Sequence, residues 1–215
     1  MIVCAAVKHF SEIISQIVGD WGFEEVLENR TPKALSEWKG NVNNFELCNY
    51  LNKHFHIESG MSRFTFIDDD YGYVMKIPFI GRYDYGEEEY ANYIAAKEFC
   101  VDSFFAPCEK EKLYVPFMDE SFDVYIMPYV EVNEEGLSQY IQESYPDIEE
   151  EYDTSYFGVE EDCVSELLAI LYGDDEYARF NIFCYKQGIN DIHGANVGWL
   201  NGKLVVIDYA GWRGI

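Results

Sequence analysis

The chain has 215 residues, of which 48% are hydrophobic and 17% aromatic, and this composition is typical of a globular protein. Its 40 acidic and 15 basic residues give a formal net charge of −25. Such a surface repels nucleic acid and anionic membranes, because binding to either depends on Lys and Arg. We therefore expect no nucleic-acid or membrane partner. The charge either keeps the chain soluble or attracts a basic protein partner.

The N-terminus does not resemble a signal peptide, because it lacks a basic region and because Lys8 and His9 interrupt a short apolar run. No stretch approaches the roughly 20 apolar residues that cross a bilayer. The cysteines form no CxxC pair, and this favours reduced, mostly buried thiols over a zinc or redox site. They are Cys4, Cys48, Cys100, Cys108, Cys163 and Cys184. We expect a cytoplasmic protein.

Helical periodicity dominates the beginning of the chain, where apolar residues recur every three to four positions over 9–19 and again over about 44–55. This pattern predicts an N-terminal helical cap over residues 1–58. The period then changes, and 63–67 and 71–79 are predicted strands, joined by an acidic turn.

A helix is predicted over 85–99, with carboxylates in the first turn, where the helix dipole favours them. Two more strands are predicted over 112–117 and 123–130. Residues 131–187 are predicted to be mostly helical and acidic, and Pro146 with the run 149–151 is predicted to mark an exposed loop.

The chain closes with a predicted hairpin whose turn is Asn201–Gly202, a strong signal for two paired strands. The predicted order begins with helices and continues with a small antiparallel sheet that has one inserted helix. More helices and this hairpin follow. This order predicts an α+β fold, since it lacks the alternation of a doubly wound sheet.

Three polar side chains flank the predicted hairpin: Asp191 and Asn196 precede it, five residues apart, and Asp208 follows it. Because the turn brings the strand ends together, we expect Asn196 and Asp208 to lie close to each other. An amide oxygen and a carboxylate suit Mg²⁺, which takes one or two protein oxygens together with phosphates and water. Asp191 would then orient or deprotonate a hydroxyl group.

This spacing resembles the catalytic loop of the protein kinase family, in which an aspartate precedes a metal-binding asparagine by five residues and a second metal-binding aspartate follows about a dozen later. The resemblance implies that Asp191 is catalytic, that Asn196 and Asp208 bind Mg²⁺, and that ATP is the nucleotide. His193 stands where many protein kinases carry a lysine. It is a candidate donor to the γ-phosphate or a loop histidine bound by its neighbours.

Upstream segments resemble the same family in the same order. Lys76, in VMKIP, stands for the strand lysine that contacts the α- and β-phosphates. The helix over 85–99 stands for the helix that supplies its glutamate partner, for which we favour Glu89 over Glu88.

The remaining candidate positions would surround the nucleotide. The segment YIMPYVEV resembles the linker between kinase lobes, where backbone groups near Met127, Tyr129 and Val130 would meet adenine. Gly60 and Ser62, in IESGMSRF, are what the sequence retains of a glycine-rich phosphate loop.

The resemblance covers about residues 59–211. It implies a kinase-like sheet lobe over 59–130 and a reduced helical lobe over 131–215, and it does not extend to an activation segment. In size the chain resembles shortened kinase-like proteins of phages and bacteria. It departs from the family pattern at Ile189 and Asn190, which replace the usual His and Arg, and at Gly211, one position late.

Two functional hypotheses remain open at this level. The first is a Mg²⁺- and ATP-dependent phosphotransferase acting on an unknown protein or small-molecule acceptor. The sequence favours it because it retains a candidate for each of four polar roles, namely Lys76, Asp191, Asn196 and Asp208. The alternative is a catalytically inactive kinase-like binding protein. It would be an acidic inhibitor or nucleic-acid mimic that binds the basic groove of a partner. The net charge favours this alternative.

Overall fold

The computed structural model describes residues 56–59, 63–68, 72–78, 84–115, 120–152 and 158–211. Over these ranges the protein is α+β, with five α-helices and two antiparallel sheets, so the predicted class is confirmed. The predicted helical cap lies outside the described residues except at its end. Residues 56–58 belong to a strand, because they pair with residues 65–67 of the next strand.

The elements are, in chain order, β1 (His56–Ser59), β2 (Arg63–Asp68), β3 (Tyr73–Pro78), α1 (Tyr85–Phe99), β4 (Glu109–Val115), β5 (Glu120–Pro128), α2 (Glu134–Ser144), α3 (Pro146–Tyr152), α4 (Glu161–Tyr172), α5 (Asp174–Gln187), β6 (Val197–Leu200) and β7 (Lys203–Val206). Short 3₁₀ turns lie at Asp102–Phe104 and Gly194–Asn196. Within the described ranges, no helix is long and apolar enough to cross a membrane.

The described residues form two compact units. The first contains those up to Tyr90 together with Cys108–Tyr129, and the second contains Ala91–Pro107 together with those from Val130 onwards. Helix α1 therefore contributes its first turns to one unit and its later turns to the other.

The first unit contains a five-stranded antiparallel sheet in the order β1-β2-β3-β5-β4. Strands β2 and β3 match their predicted ranges to within two residues. Strands β4 and β5 each begin three residues earlier and end two residues earlier than predicted. The early part of β4 is charged rather than apolar; it pairs with β5, and Lys110 and Lys112 both contact Asp123 on that strand.

The start of α1 is fixed by side chains of the first unit. Asp84 accepts the backbone N–H of Glu87 at 3.0 Å, which caps the helix. The hydroxyl of Tyr125 lies 2.9 Å from Oδ2 of Asp84 and 2.8 Å from Oε2 of Glu87, and Lys110 also contacts Glu87. The ring of Tyr125 lies so close to Gly86 that a Cβ there would be 2.3 Å from Cδ2. Glycine at this position is therefore a packing requirement.

The end of α1 lies in the second unit and follows a Schellman pattern. Val101 N–H donates to the carbonyl of Ala96 at 2.9 Å, and Cys100 N–H donates to that of Lys97 at 3.1 Å. Cys100 has the left-handed φ of 59° that this pattern needs. The predicted range of α1, 85–99, is confirmed.

One predicted loop is wrong: residues 146–152 form α3. Pro146 takes the first helical position, where its fixed φ fits and its missing N–H costs nothing. The helix dipole stabilises the carboxylates of Asp147 and Glu149 in the first turn. Ile148 is buried and anchors the helix. The loop prediction rested on Pro146 and on the acidic run 149–151, and both are compatible with a helix whose first residue is Pro146.

Aromatic side chains form much of the core of the second unit. Phe104 stacks on Tyr172 and Phe180, with ring centroids 3.9 and 4.3 Å apart, and Phe105 lies 4.8 Å from Tyr209. Among the cysteines of the described ranges, Cys100 is exposed and the other three are buried free thiols, namely Cys108, Cys163 and Cys184.

Candidate functional site

Lys76 lies near the middle of β3, opposite Thr65 of β2 and Tyr125 of β5. Its Nζ lies 2.9 and 3.0 Å from the two carboxylate oxygens of Glu89 on α1. The side chains are 10% and 0% exposed. Burying two charges costs several kcal/mol per ion, which only good geometry and further hydrogen bonds offset. A buried ion pair often stabilises a protein no more than apolar residues of similar volume would. This favours a functional role for Lys76 over a purely structural one.

The structure distinguishes the two candidate glutamates of α1. Both Glu88 and Glu89 are buried, and the ion pair with Lys76 is formed by Glu89, the residue favoured from the sequence.

The loop that carries Asp191 begins where α5 ends. Gly188 adopts a left-handed φ of 72°, and this ends the helix. Further along, Gly194 N–H donates to the carbonyl of Val159 at 2.7 Å. A Cβ on Gly194 would lie 2.9 Å from the side chain of Val159 and 3.0 Å from Oε1 of Glu134. The loop is therefore held against the segment before α4, and its glycine permits the close approach.

Asp191, His193 and Asn196 are brought together within this loop. Nδ2 of Asn196 donates to the backbone carbonyl of Asp191 at 2.9 Å. Nδ1 of His193 accepts the N–H of Ala195 at 3.3 Å, and its Nε2 lies 3.3 Å from Oδ1 of Asp191. The same Nε2 lies 3.1 Å from Nδ2 of Asn196. His193 is thus part of the polar loop and contacts both predicted site residues.

The β6–β7 hairpin places Asp208 beside Asn196. Asn201 and Gly202 have φ values of 52° and 78°, as a two-residue hairpin turn requires, and the predicted hairpin is confirmed. The N–H of Ile207, next to Asp208, donates to the carbonyl of Asn196 at 3.0 Å. The expected proximity of the two segments is therefore present at the backbone, and the Asp208 side chain is exposed.

The backbone directly after Asp208 is anchored by two residues that the sequence analysis did not select. Asn92 of α1 donates to the carbonyl of Tyr209 at 2.8 Å and lies 3.5 Å from that of Ala210. The hydroxyl of Tyr209 donates to the carbonyl of Ala106 at 2.6 Å. One signal was available: Asn92 is a polar residue three positions after Glu89, on the helix face that carries Glu89.

The predicted adenine-linker residues lie at the end of β5 and beyond it. Met127 is buried and pairs with Val74, whereas Tyr129 is 38% exposed. The N–H of Tyr129 donates to the carbonyl of Gly72 at 2.8 Å, so this donor is already used within the first unit. Val130 is buried in the second unit. Gly60 and Ser62 lie outside the described residues.

The donor set around Asn196 suits a hard cation. Because Nδ2 of Asn196 binds the Asp191 carbonyl, Oδ1 is the amide atom suited to a metal, and Asp208 supplies a carboxylate. The described residues contain no cluster of three or more His, Cys, Asp and Glu that could hold a metal. A Mg²⁺ site with one or two protein oxygens does not need such a cluster, since phosphates and water complete it.

The negative charge is unevenly distributed along the chain. Residues 113–178 contain nineteen Asp and Glu residues and no Lys, Arg or His. Most of the acidic residues described on α2, α3 and the first turn of α4 are exposed. This part of the second unit therefore presents an acidic surface.

Comparisons of the chain with models of protein families, with curated proteins and with solved structures found no match. Its functional assignment therefore depends on the chemistry of its own residues.

Proposed function

We propose that the protein is a Mg²⁺- and ATP-dependent phosphotransferase of a minimal kinase-like fold, whose acceptor is a protein or a small molecule. The observation that carries this proposal is the buried ion pair between Lys76 and Glu89. The kinase resemblance predicts a pair between a strand lysine and a helix glutamate, and the contact of Lys76 with Glu89 supports the proposal.

In the first unit, Lys76 would bind the α- and β-phosphates of ATP. Its ammonium is a mobile point charge at the end of a flexible stem, and the bidentate contact with Glu89 restricts it to one position. Restricting the donor before the nucleotide binds lowers the cost of ordering it later.

In the second unit, Asn196 and Asp208 would hold Mg²⁺ through one amide and one carboxylate oxygen. The metal would neutralise charge on the phosphate oxygens. Asp191, which is exposed, would orient the acceptor hydroxyl and accept its proton. The contacts of His193 and Asn196 with Asp191 restrict this loop, and positioning of this kind is the main source of catalysis in phosphoryl transfer.

The test is transfer of the labelled γ-phosphate of ATP in the presence of Mg²⁺, with water, the chain itself and a cell lysate as acceptors. Asp191→Asn should lower the transfer rate by about 10²- to 10⁴-fold, the usual contribution of a general base. Asp175→Asn removes the same charge from an exposed position on α5 and should leave the rate unchanged. Wild-type protein that binds ATP but transfers no phosphate would refute the catalytic part of the proposal.

A second candidate is a catalytically inactive kinase-like binding protein. It would bind the basic groove of a partner, as an inhibitor or a nucleic-acid mimic. The nineteen acidic residues and the absence of basic residues over 113–178 favour it. A surface of one sign attracts an oppositely charged partner and speeds its association.

This candidate predicts that the immobilised protein captures a basic protein at low salt and releases it as salt screens the contact. Replacing Glu150 and Glu151 of α3 by Gln should weaken capture, while the same change at Glu98 and Glu109, which are exposed and lie outside 113–178, serves as the control. Capture that does not depend on salt would contradict a charge-based mode of binding.

A further inference from the structure

We propose that Asn92 is a positioning residue for Asp208. The inference rests on the proposed function for the role of Asp208 as a metal ligand. Asn92 lies on α1, it is 4% exposed, and it belongs to the second unit, as does Asp208. Nothing in the proposed mechanism uses it directly.

A buried asparagine inside a helix needs a specific reason. Its amide costs free energy when it leaves water without a partner, and asparagine has a lower helix propensity than the aliphatic residues that would fill the same space. Asn92 is bound: Nδ2 lies 2.8 Å from the carbonyl oxygen of Tyr209 and 3.5 Å from that of Ala210. Both carbonyls belong to the two residues that follow Asp208.

Tyr209 adds a second anchor to the same segment. Its side chain is fully buried, and its hydroxyl donates to the carbonyl of Ala106 at 2.6 Å. Before Asp208, Ile207 is bound to Asn196 through its backbone N–H. Asp208 is thus exposed between two fixed points, one on the hairpin side and the other on the side of α1.

This arrangement restricts the backbone on both sides of Asp208, whose side chain is exposed. A ligand whose position is restricted beforehand loses less freedom when it binds a cation, and outer residues that orient metal ligands typically contribute 10- to 100-fold to metal affinity. Removing the Asn92 amide should therefore weaken metal binding at Asp208, although Asn92 does not touch the metal.

The test uses the full chain and Mn²⁺ with a non-hydrolysable ATP analogue, and Mn²⁺ affinity is measured through water proton relaxation. Asn92→Leu keeps the approximate volume and removes the donor, and Asn92→Ala is a second variant should the first not fold. The matched control is Tyr172→Phe. It removes a hydroxyl in the same unit that lies 2.9 and 2.8 Å from the carbonyls of Ser103 and Leu204, and it leaves the hydrogen bonds of Ile207, Tyr209 and Ala210 in place.

Both kinds of variant should lower the melting temperature, since each removes a donor from backbone carbonyls. We expect Asn92→Leu and Asn92→Ala to weaken Mn²⁺ binding about 10-fold or more, and Tyr172→Phe to change it less than about two-fold. Wild-type affinity in the Asn92 variants, or an equal loss in Tyr172→Phe, would overturn the inference.

A measurement on the wild-type protein needs neither variant nor metal. The side-chain amide protons of Asn92 should exchange with water much more slowly than those of Asn181, which is exposed on α5. Equal exchange rates would overturn the anchoring. If wild-type protein binds no Mn²⁺ with the analogue, the proposed function and the metal role of Asp208 fail together, and slow exchange at Asn92 would then show an anchor of purely structural value.

Discussion

Replacing one member of the buried pair of Lys76 and Glu89 should lower the free energy of unfolding more than replacing both members. Lys76→Met leaves the Glu89 carboxylate, which is fully buried, without its ammonium partner, and Glu89→Gln leaves the ammonium without its carboxylate. Breaking a buried pair in this way typically costs about 3 to 5 kcal/mol. This is a large fraction of the roughly 5 to 15 kcal/mol that stabilises an ordinary domain.

The double variant Lys76→Met with Glu89→Leu removes both charges together with their desolvation cost. Replacing a whole buried pair by apolar residues is often neutral or stabilising. We therefore expect the double variant to be destabilised by less than either single variant. Since the pair is buried and Nζ of Lys76 is bonded to both carboxylate oxygens of Glu89, at 2.9 and 3.0 Å, the coupling energy should exceed about 2 kcal/mol.

The assay is urea unfolding of the wild type, each single variant and the double variant. The control is Lys112→Met on β4, because the contact of Lys112 with Asp123 is largely exposed and should contribute less than about 1 kcal/mol. Additive single effects, or single losses no larger than that of the control, would refute the reasoning that this pair is buried and coupled.

Two further predictions concern the start of α1. Gly86→Ala improves helix propensity, yet the new Cβ would overlap the ring of Tyr125. The variant should therefore have a free energy of unfolding, measured by urea denaturation, about 1 to 3 kcal/mol below that of the wild type. An increase in stability would contradict this packing. The Lys110 ammonium lowers the pKa of Glu87 from its ordinary 4.5, so the carboxylate contributes stability above that value and loses it as pH falls through the folded-state pKa. Lys110→Met should therefore lose less stability than the wild type between about pH 5 and pH 3, and parallel pH profiles would exclude this linkage.

Local signals explain what the sequence predicts well. Helix α1 has acidic residues at its start, and the turn of the β6–β7 hairpin has the residue pair that tolerates positive φ at both positions. Each of these features is decided within a few residues of the chain. The pairing of Lys76 with Glu89 was expected only because the strand and the following helix resemble those of the protein kinase family.

Contacts between distant residues explain what the sequence does not predict. Asn92 and Tyr209 are 117 positions apart, so no local pattern links them. The charged start of β4 is a strand through its backbone pairing with β5, and α3 buries Ile148. These outcomes depend on tertiary packing, which overrides propensity and polarity in short segments.

The most direct test of the proposal that this chain binds Mg·ATP is its melting curve with and without Mg·ATP. Ligand at about one hundred times its dissociation constant adds about 2.7 kcal/mol of stability, which raises the melting temperature by several degrees. We predict this rise for the wild type, a smaller one without Mg²⁺, and a strongly reduced one in Asp208→Asn. An unchanged melting temperature in saturating Mg·ATP would contradict the account.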